Sequence, residues 1–142
     1  MVDKNRGKPP KPKGKGKKLL NRPPSGGSAN DATPKFCLAH IVDGHCVESL
    51  PDDGKRADFA LALQKRGSMT WQQITFADKH GLGLEMIDSA AIKPHVPESF
   101  SDREKFTVMR YSGMLPMVGV RVVDTFHILW VEGDFGDVYD HG

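Results

Sequence analysis

From Phe36 onward, short apolar runs alternate with turn signals, and the spacing of those runs sets the expected elements. FCLAHIV and HCVESL flank Asp43-Gly44, a dipeptide suited to the positive φ angles of a tight turn, which predicts an N-terminal β-hairpin. Phe59, Ala60, Leu61 and Leu63 stand among good helix formers in a run that closes on Gly67, which predicts a first helix near 55–66. Thr70 is a suitable N-cap for WQQITFADKHG, where Trp71, Ile74 and Thr75 share one helical face, so a second helix is expected near 71–79, capped at His80-Gly81. GLGLEMIDSAAIKPHVPESFSDRE is broken by Gly, Pro and Ser, and leaves room for a short extended piece at 84–87 and a long crossing loop. Strand-like runs follow at 106–111, 117–123 and 126–132, with a last one around Tyr139. This order, with hairpin first, two helices next and a three- or four-stranded antiparallel sheet last, defines an α+β fold with the helices on one face of the sheet.

The first 34 residues follow a different pattern. They are rich in Lys, Pro, Gly and Ser with almost nothing apolar to bury, so a disordered basic arm (1–34) is expected ahead of one domain (35–142). Residues 1–22 carry Lys4, Arg6, Lys8, Lys11, Lys13, Lys15, Lys17, Lys18 and Arg22 against Asp3 alone, a net of +8, while the remaining residues sum to −6. The mild overall +2 therefore hides two opposite electrostatic objects. Such an arm neutralises phosphates of RNA or DNA without regard to sequence. No run approaches the roughly 18–20 apolar residues that span a bilayer, which points to a cytoplasmic location and no membrane partner. The two cysteines, Cys37 and Cys46, are too few for a disulfide framework and are expected to be reduced thiols.

Candidate chemistry concentrates in the last third. Val118, Val120 and Val122 form one apolar set and Phe126, Ile128 and Trp130 another; if both look the same way, the connecting loop holds an odd number of residues, most simply Val123-Asp124-Thr125. In that register Arg121 lies opposite His127. A guanidinium beside an imidazole lowers the imidazole pKa and suits a general base acting on a phosphate held by the Arg. Arg110, Tyr139 and His141 are further candidates near the same sheet.

Other clusters read as structure. In the expected hairpin, His40 and His45 share one face and Cys37 and Cys46 the other, so the four cannot converge on one metal. Glu132, Asp134, Asp137 and Asp140 match no cation-binding loop spacing and read as solvated turn acids. The glycines at 81 and 83 lack the Lys-Ser/Thr of a phosphate-binding loop. No cofactor and no metal are implied.

The motifs MRYSG, PMVGVRV, TFHILWVE and GDVYDHG are similar to a set of small uncharacterised bacterial proteins with a PMVG-x-R strand, an F-H-x-L-W strand and a terminal YDHG, over about residues 36–142. More loosely, two helices followed by a sheet bearing Arg, His and Tyr resemble the RelE/HigB-type toxins, which cut messenger RNA without metal. That resemblance implies a toxin-like RNA-binding protein with ribonuclease activity and an antitoxin-like protein partner. It would make Arg110 and Arg121 the phosphate and transition-state stabilisers and His127, Tyr139 or His141 the acid-base groups. A non-catalytic module that binds protein or nucleic acid, as an accessory of a mobile element or phage, is the alternative.

Overall fold

A computed structural model describes residues 29–142. Two helices, α1 (Asp53–Gly67) and α2 (Trp71–Phe76), precede most of a five-stranded mixed sheet. Its strands are β1 (Lys35–Cys37), β2 (Glu85–Asp88), β3 (Lys105–Ser112), β4 (Leu115–Val122) and β5 (Thr125–Val131), in the spatial order β1-β5-β4-β3-β2. The expected α+β class holds. β1 runs parallel to β5 and every other pairing is antiparallel.

Local signals explain both helices. The Asp52 side chain accepts from the Lys55 amide at 2.8 Å to start α1, which buries Phe59, Ala62 and Arg66 along one stripe. Thr70 and Gln73 form a reciprocal capping box at the start of α2, which buries Trp71 and Ile74. α2 stops at Phe76, three residues short of expectation. Asp78 takes over the backbone there: its side chain accepts from the His80 amide at 2.9 Å and its carbonyl from the amides of Gly81 and Gly83, a local turn that competes with helix.

The N-terminal hairpin does not form. The turn at Asp43-Gly44 is present, with Gly44 at φ +86° and the His45 amide bonded to the Val42 carbonyl at 3.0 Å. Its two flanks do not pair with each other, however. The Val42 amide donates to Leu129 at 2.8 Å and the His45 carbonyl accepts from Val131 at 2.7 Å, so both lie along β5. The physical reason is the open side of β5, whose backbone groups find partners in this segment where a free-standing hairpin would have left them exposed.

The β4–β5 register also differs from expectation. Val122 pairs with Thr125 across a two-residue turn in which Val123 adopts φ +59°, so Arg121 faces Phe126 and Val120 faces His127. Farther along, the register slips so that Val118 pairs with Trp130, which leaves Leu129 as an extra residue in β5. Gly119 makes room for this bulge: a Cβ there would stand 1.9 Å from the His127 carbonyl oxygen. Phe126 and Ile128 consequently point to the helices with Met109, Met117, Trp71 and Ile74, while Trp130 joins Val118, Val120, Phe106 and Val108 on the opposite face. Among the described residues that second face carries no α-helix, and is closed by Phe100 from a short 3-10 turn in the crossing loop and by Val138 and Tyr139 from the C-terminal tail.

Candidate nucleic-acid interface

The two-residue turn and the bulge decide which candidate residues meet. Arg121 and His127 sit at the same end of the sheet but on opposite faces, so the expected side-by-side pair is replaced by two separate environments. Arg110, paired with Pro116, lies five β4 residues away from Arg121, roughly 16 Å of strand. Arg110, Tyr139 and His141 therefore belong to the other end of the molecule, and the five candidates form two groups.

At the first end, Arg121 is held flat. Its guanidinium lies 4.4 Å over the Trp71 ring centroid, Nε donates to the Val123 carbonyl at 2.7 Å, and Nη2 donates to Asn30 Oδ1 at 2.9 Å. Burial lowers its pKa and nearby Asp124 partly restores it. Arg121, Lys105 and Arg103 line a groove of about 230 Å³ together with Thr75, Met86 and Thr107. Lys105 is tied to exposed Asp88 at 2.7 Å, whereas Arg103 forms no ion pair with any described residue.

Beneath this groove, on the opposite face, His127 stands in a triangle of rings. Its centroid is 6.1 Å from His40 and 5.6 Å from Phe100, and His40 packs edge-on to Phe100 at 5.3 Å. His127 Nδ1 is buried without a hydrogen-bond partner. Desolvation, then His40, then Arg103 hold the His127 pKa below the ordinary imidazole value. Arg103 was not singled out by the sequence, and His40 was read there as an ordinary residue of the expected hairpin. Their proximity depends on the 38–46 segment lying beside β5 and on the turn that feeds β3, neither of which leaves a periodic signal.

At the opposite end most polar groups bond to one another, beside a groove of about 350 Å³ whose lining includes His80, Arg110 and Tyr111. The Arg110 guanidinium donates to the carbonyls of Met114 at 3.2 Å and Lys79 at 3.3 Å, bonds His80 Nδ1 at 3.1 Å and pairs with Glu85 at 3.3 Å. Tyr139 is buried in contact with this charge system, its hydroxyl without a hydrogen bond and its pKa raised first by burial and then by Glu85. His141 Nε2 meets Glu132 Oε1 at 2.7 Å, and its ring is stacked between Phe135 at 3.9 Å and Tyr139 at 4.2 Å. Glu132 is fully buried and also accepts from the Val138 amide at 2.9 Å. Its expected place as a solvated turn acid is thus corrected: it is the anchor of the C-terminal tail. Asp140 instead pairs with Lys93 at 2.9 Å, so the four acids disperse.

Among the described residues no group of His, Cys, Asp or Glu is arranged to hold a metal ion. Both cysteines are free thiols, Cys37 opposite His127 in the sheet and Cys46 hydrogen-bonded to Ser49 at 3.2 Å, which lowers its pKa. The Lys and Arg residues of 4–22 lie outside the described residues. Among the described residues that follow them, Asn30 bonds Arg121 at the groove and the Ala32 carbonyl accepts from the Trp71 amide at 2.9 Å. No described helix is long and apolar enough to cross a membrane.

Fold and site together define a small α+β domain with a basic groove at one end of its sheet and a locked tail at the other. Comparison of the chain with family models, curated proteins and solved structures finds no match.

Proposed function

We propose that the protein is a small, toxin-like RNA-binding protein of the cytoplasm that cleaves RNA by general acid–base catalysis at the basic end of its sheet. The observation that carries this reading is the His40–His127 pair, 6.1 Å apart on Phe100, with Arg103 close enough to depress the His127 pKa. Two groups that each act across a hydrogen bond of about 2.6–3.2 Å can reach two oxygens of one phosphorus at such a separation. With Nδ1 buried, Nε2 of His127 is the nitrogen left to face a substrate. In this scheme neutral His127 removes the proton of a ribose 2′-hydroxyl, whose oxygen attacks the adjacent phosphorus. His40 gives a proton to the departing 5′-oxygen as the P–O bond breaks, leaving a 2′,3′-cyclic phosphate and a free 5′-hydroxyl. Arg103 neutralises the reacting phosphate, while Arg121, Lys105 and the basic arm hold neighbouring ones. An antitoxin-like protein would restrain such an activity by covering this end.

Incubation of the full chain with a labelled RNA in the presence of a chelator tests the reading. His127→Ala and His40→Ala should each slow cleavage by roughly 100-fold or more while the protein stays folded. RNA left intact by the wild type would overturn catalysis. The alternative, a non-catalytic nucleic-acid-binding module, rests on the groove of Arg103, Lys105 and Arg121 alone. It predicts a salt-sensitive shift of the oligonucleotide with no cleavage.

A further inference from the structure

We infer that the groove selects single-stranded RNA over duplex, with an unpaired base stacked on Phe76 while the backbone follows Arg121, Lys105 and Arg103; this rests on the RNA-binding half of the function proposed above. Phe76 is 80% exposed, the most exposed large apolar side chain among the described residues, and it ends α2 directly after Thr75, which lines the groove. Met86, on the groove wall, is 50% exposed. An aromatic ring open to water next to the wall of a basic channel adds little to fold stability, whereas Met86 is held to that wall by the Thr107 hydroxyl, which donates to its Sδ at 3.4 Å. A stacking platform next to an electrostatic track is what unpaired bases require.

The cations themselves carry a cost that points the same way. The register pairs Thr107 with Gly119, so two residues farther along Lys105 and Arg121 approach each other on one face of adjacent strands. Like charges so placed destabilise a sheet, and the carboxylates that act on them, Asp88 on Lys105 and Asp124 on Arg121, offset this only in part. A polyanion threaded along the groove relieves that repulsion. The groove, at about 230 Å³, is far too small to take in the body of a double helix. Trp71 beneath Arg121 keeps the guanidinium flat, so the track is formed before the ligand arrives.

The test uses the full-length protein and 2′-O-methyl RNA, which cannot undergo the cleavage step, so that binding is read apart from catalysis. A labelled 12-nucleotide single strand and the same sequence as a duplex are titrated by fluorescence anisotropy at several salt concentrations. The single strand should bind at least tenfold more tightly. Phe76→Ala should weaken the single strand by about tenfold, leave the duplex unchanged and keep the salt slope, and Phe76→Trp should restore binding. Arg103→Gln should instead weaken both and reduce the slope by about one. Equal affinity for the two forms, or a Phe76→Ala protein that binds the single strand as the wild type does, overturns the inference even if RNA cleavage is observed. Single-strand selectivity without cleavage of ordinary RNA leaves the inference standing and removes only the catalytic proposal.

Discussion

His127 shows how one side chain's surroundings set both its chemistry and its contribution to stability. Desolvation, then His40, then Arg103 disfavour its charged form, so its folded pKa lies below the ordinary value of about 6.5. The folded state therefore binds fewer protons than the unfolded state over this interval. The stabilisation is present above about pH 6.5 and is lost as pH falls from there through the lowered folded value. Chemical denaturation at pH 7.5 and at pH 5.5 should reveal a loss of stability in the wild type that is smaller in His127→Gln. Arg103→Gln should raise the His127 pKa, and the acid limb of any cleavage profile should move to higher pH with it. Arg66 is the contrasting case. It is fully buried, burial lowers its pKa to about 10, and its guanidinium is spent on the carbonyls of Ala62, Gly81, Leu82 and Arg110. It clamps α1 to the 81–82 turn and to β3. Arg66→Ala should cost about 3 kcal/mol or more, read by urea denaturation, because it strands buried carbonyls.

At the scale of elements, propensity and capping made the two helices legible, since the helix formers of 55–66 and the Thr70 cap carry their signals locally, although Gly67, read as a left-handed helix end, is the last helical residue and has no positive φ. The short strand at 85–88 and the three long strands were legible for the same reason, from apolar runs bounded by turns. The hairpin at 38–46 was not, because its turn chemistry is correct and only the choice of partner is non-local. The Arg121–His127 pair failed for a related reason. A parity argument assumes an unbroken strand, and Leu129 breaks the period of β5 in a way that only a glycine opposite, Gly119, hints at. Two substitutions test this account of the β4–β5 register. Gly119→Ala places a methyl against the His127 carbonyl and should destabilise by several kcal/mol or shift the register, seen as loss of the cooperative transition. Val123 holds a left-handed conformation, at φ +59°, that a β-branched residue adopts only under strain. Val123→Asn should stabilise the fold by about 1 kcal/mol in thermal denaturation.

Across the whole molecule, the charges are distributed in a way that neither half explains alone. The chain beyond residue 22 sums to −6, which repels a polyanion at long range, yet Arg103, Lys105 and Arg121 gather at one end, where Asn30 also bonds Arg121, and the first 22 residues carry +8. In the proposed function the arm overcomes the repulsion and the groove orients what the arm captures. These two contributions separate in the salt dependence of binding. Each cation that displaces a counterion from a single strand adds about 0.7 to the magnitude of the slope of log K against log salt. Removal of residues 1–22 deletes nine cations and should lower that magnitude by as much as about 6, with a large loss of affinity at low salt. The residues that remain should retain a slope of about 2 in magnitude, the share expected of three groove cations. Arg121→Gln in the shortened protein should remove about a third of that residue. A shortened protein that binds single strands with no salt dependence, or does not bind them at all, would mean that the arm alone engages nucleic acid and that the groove serves another ligand.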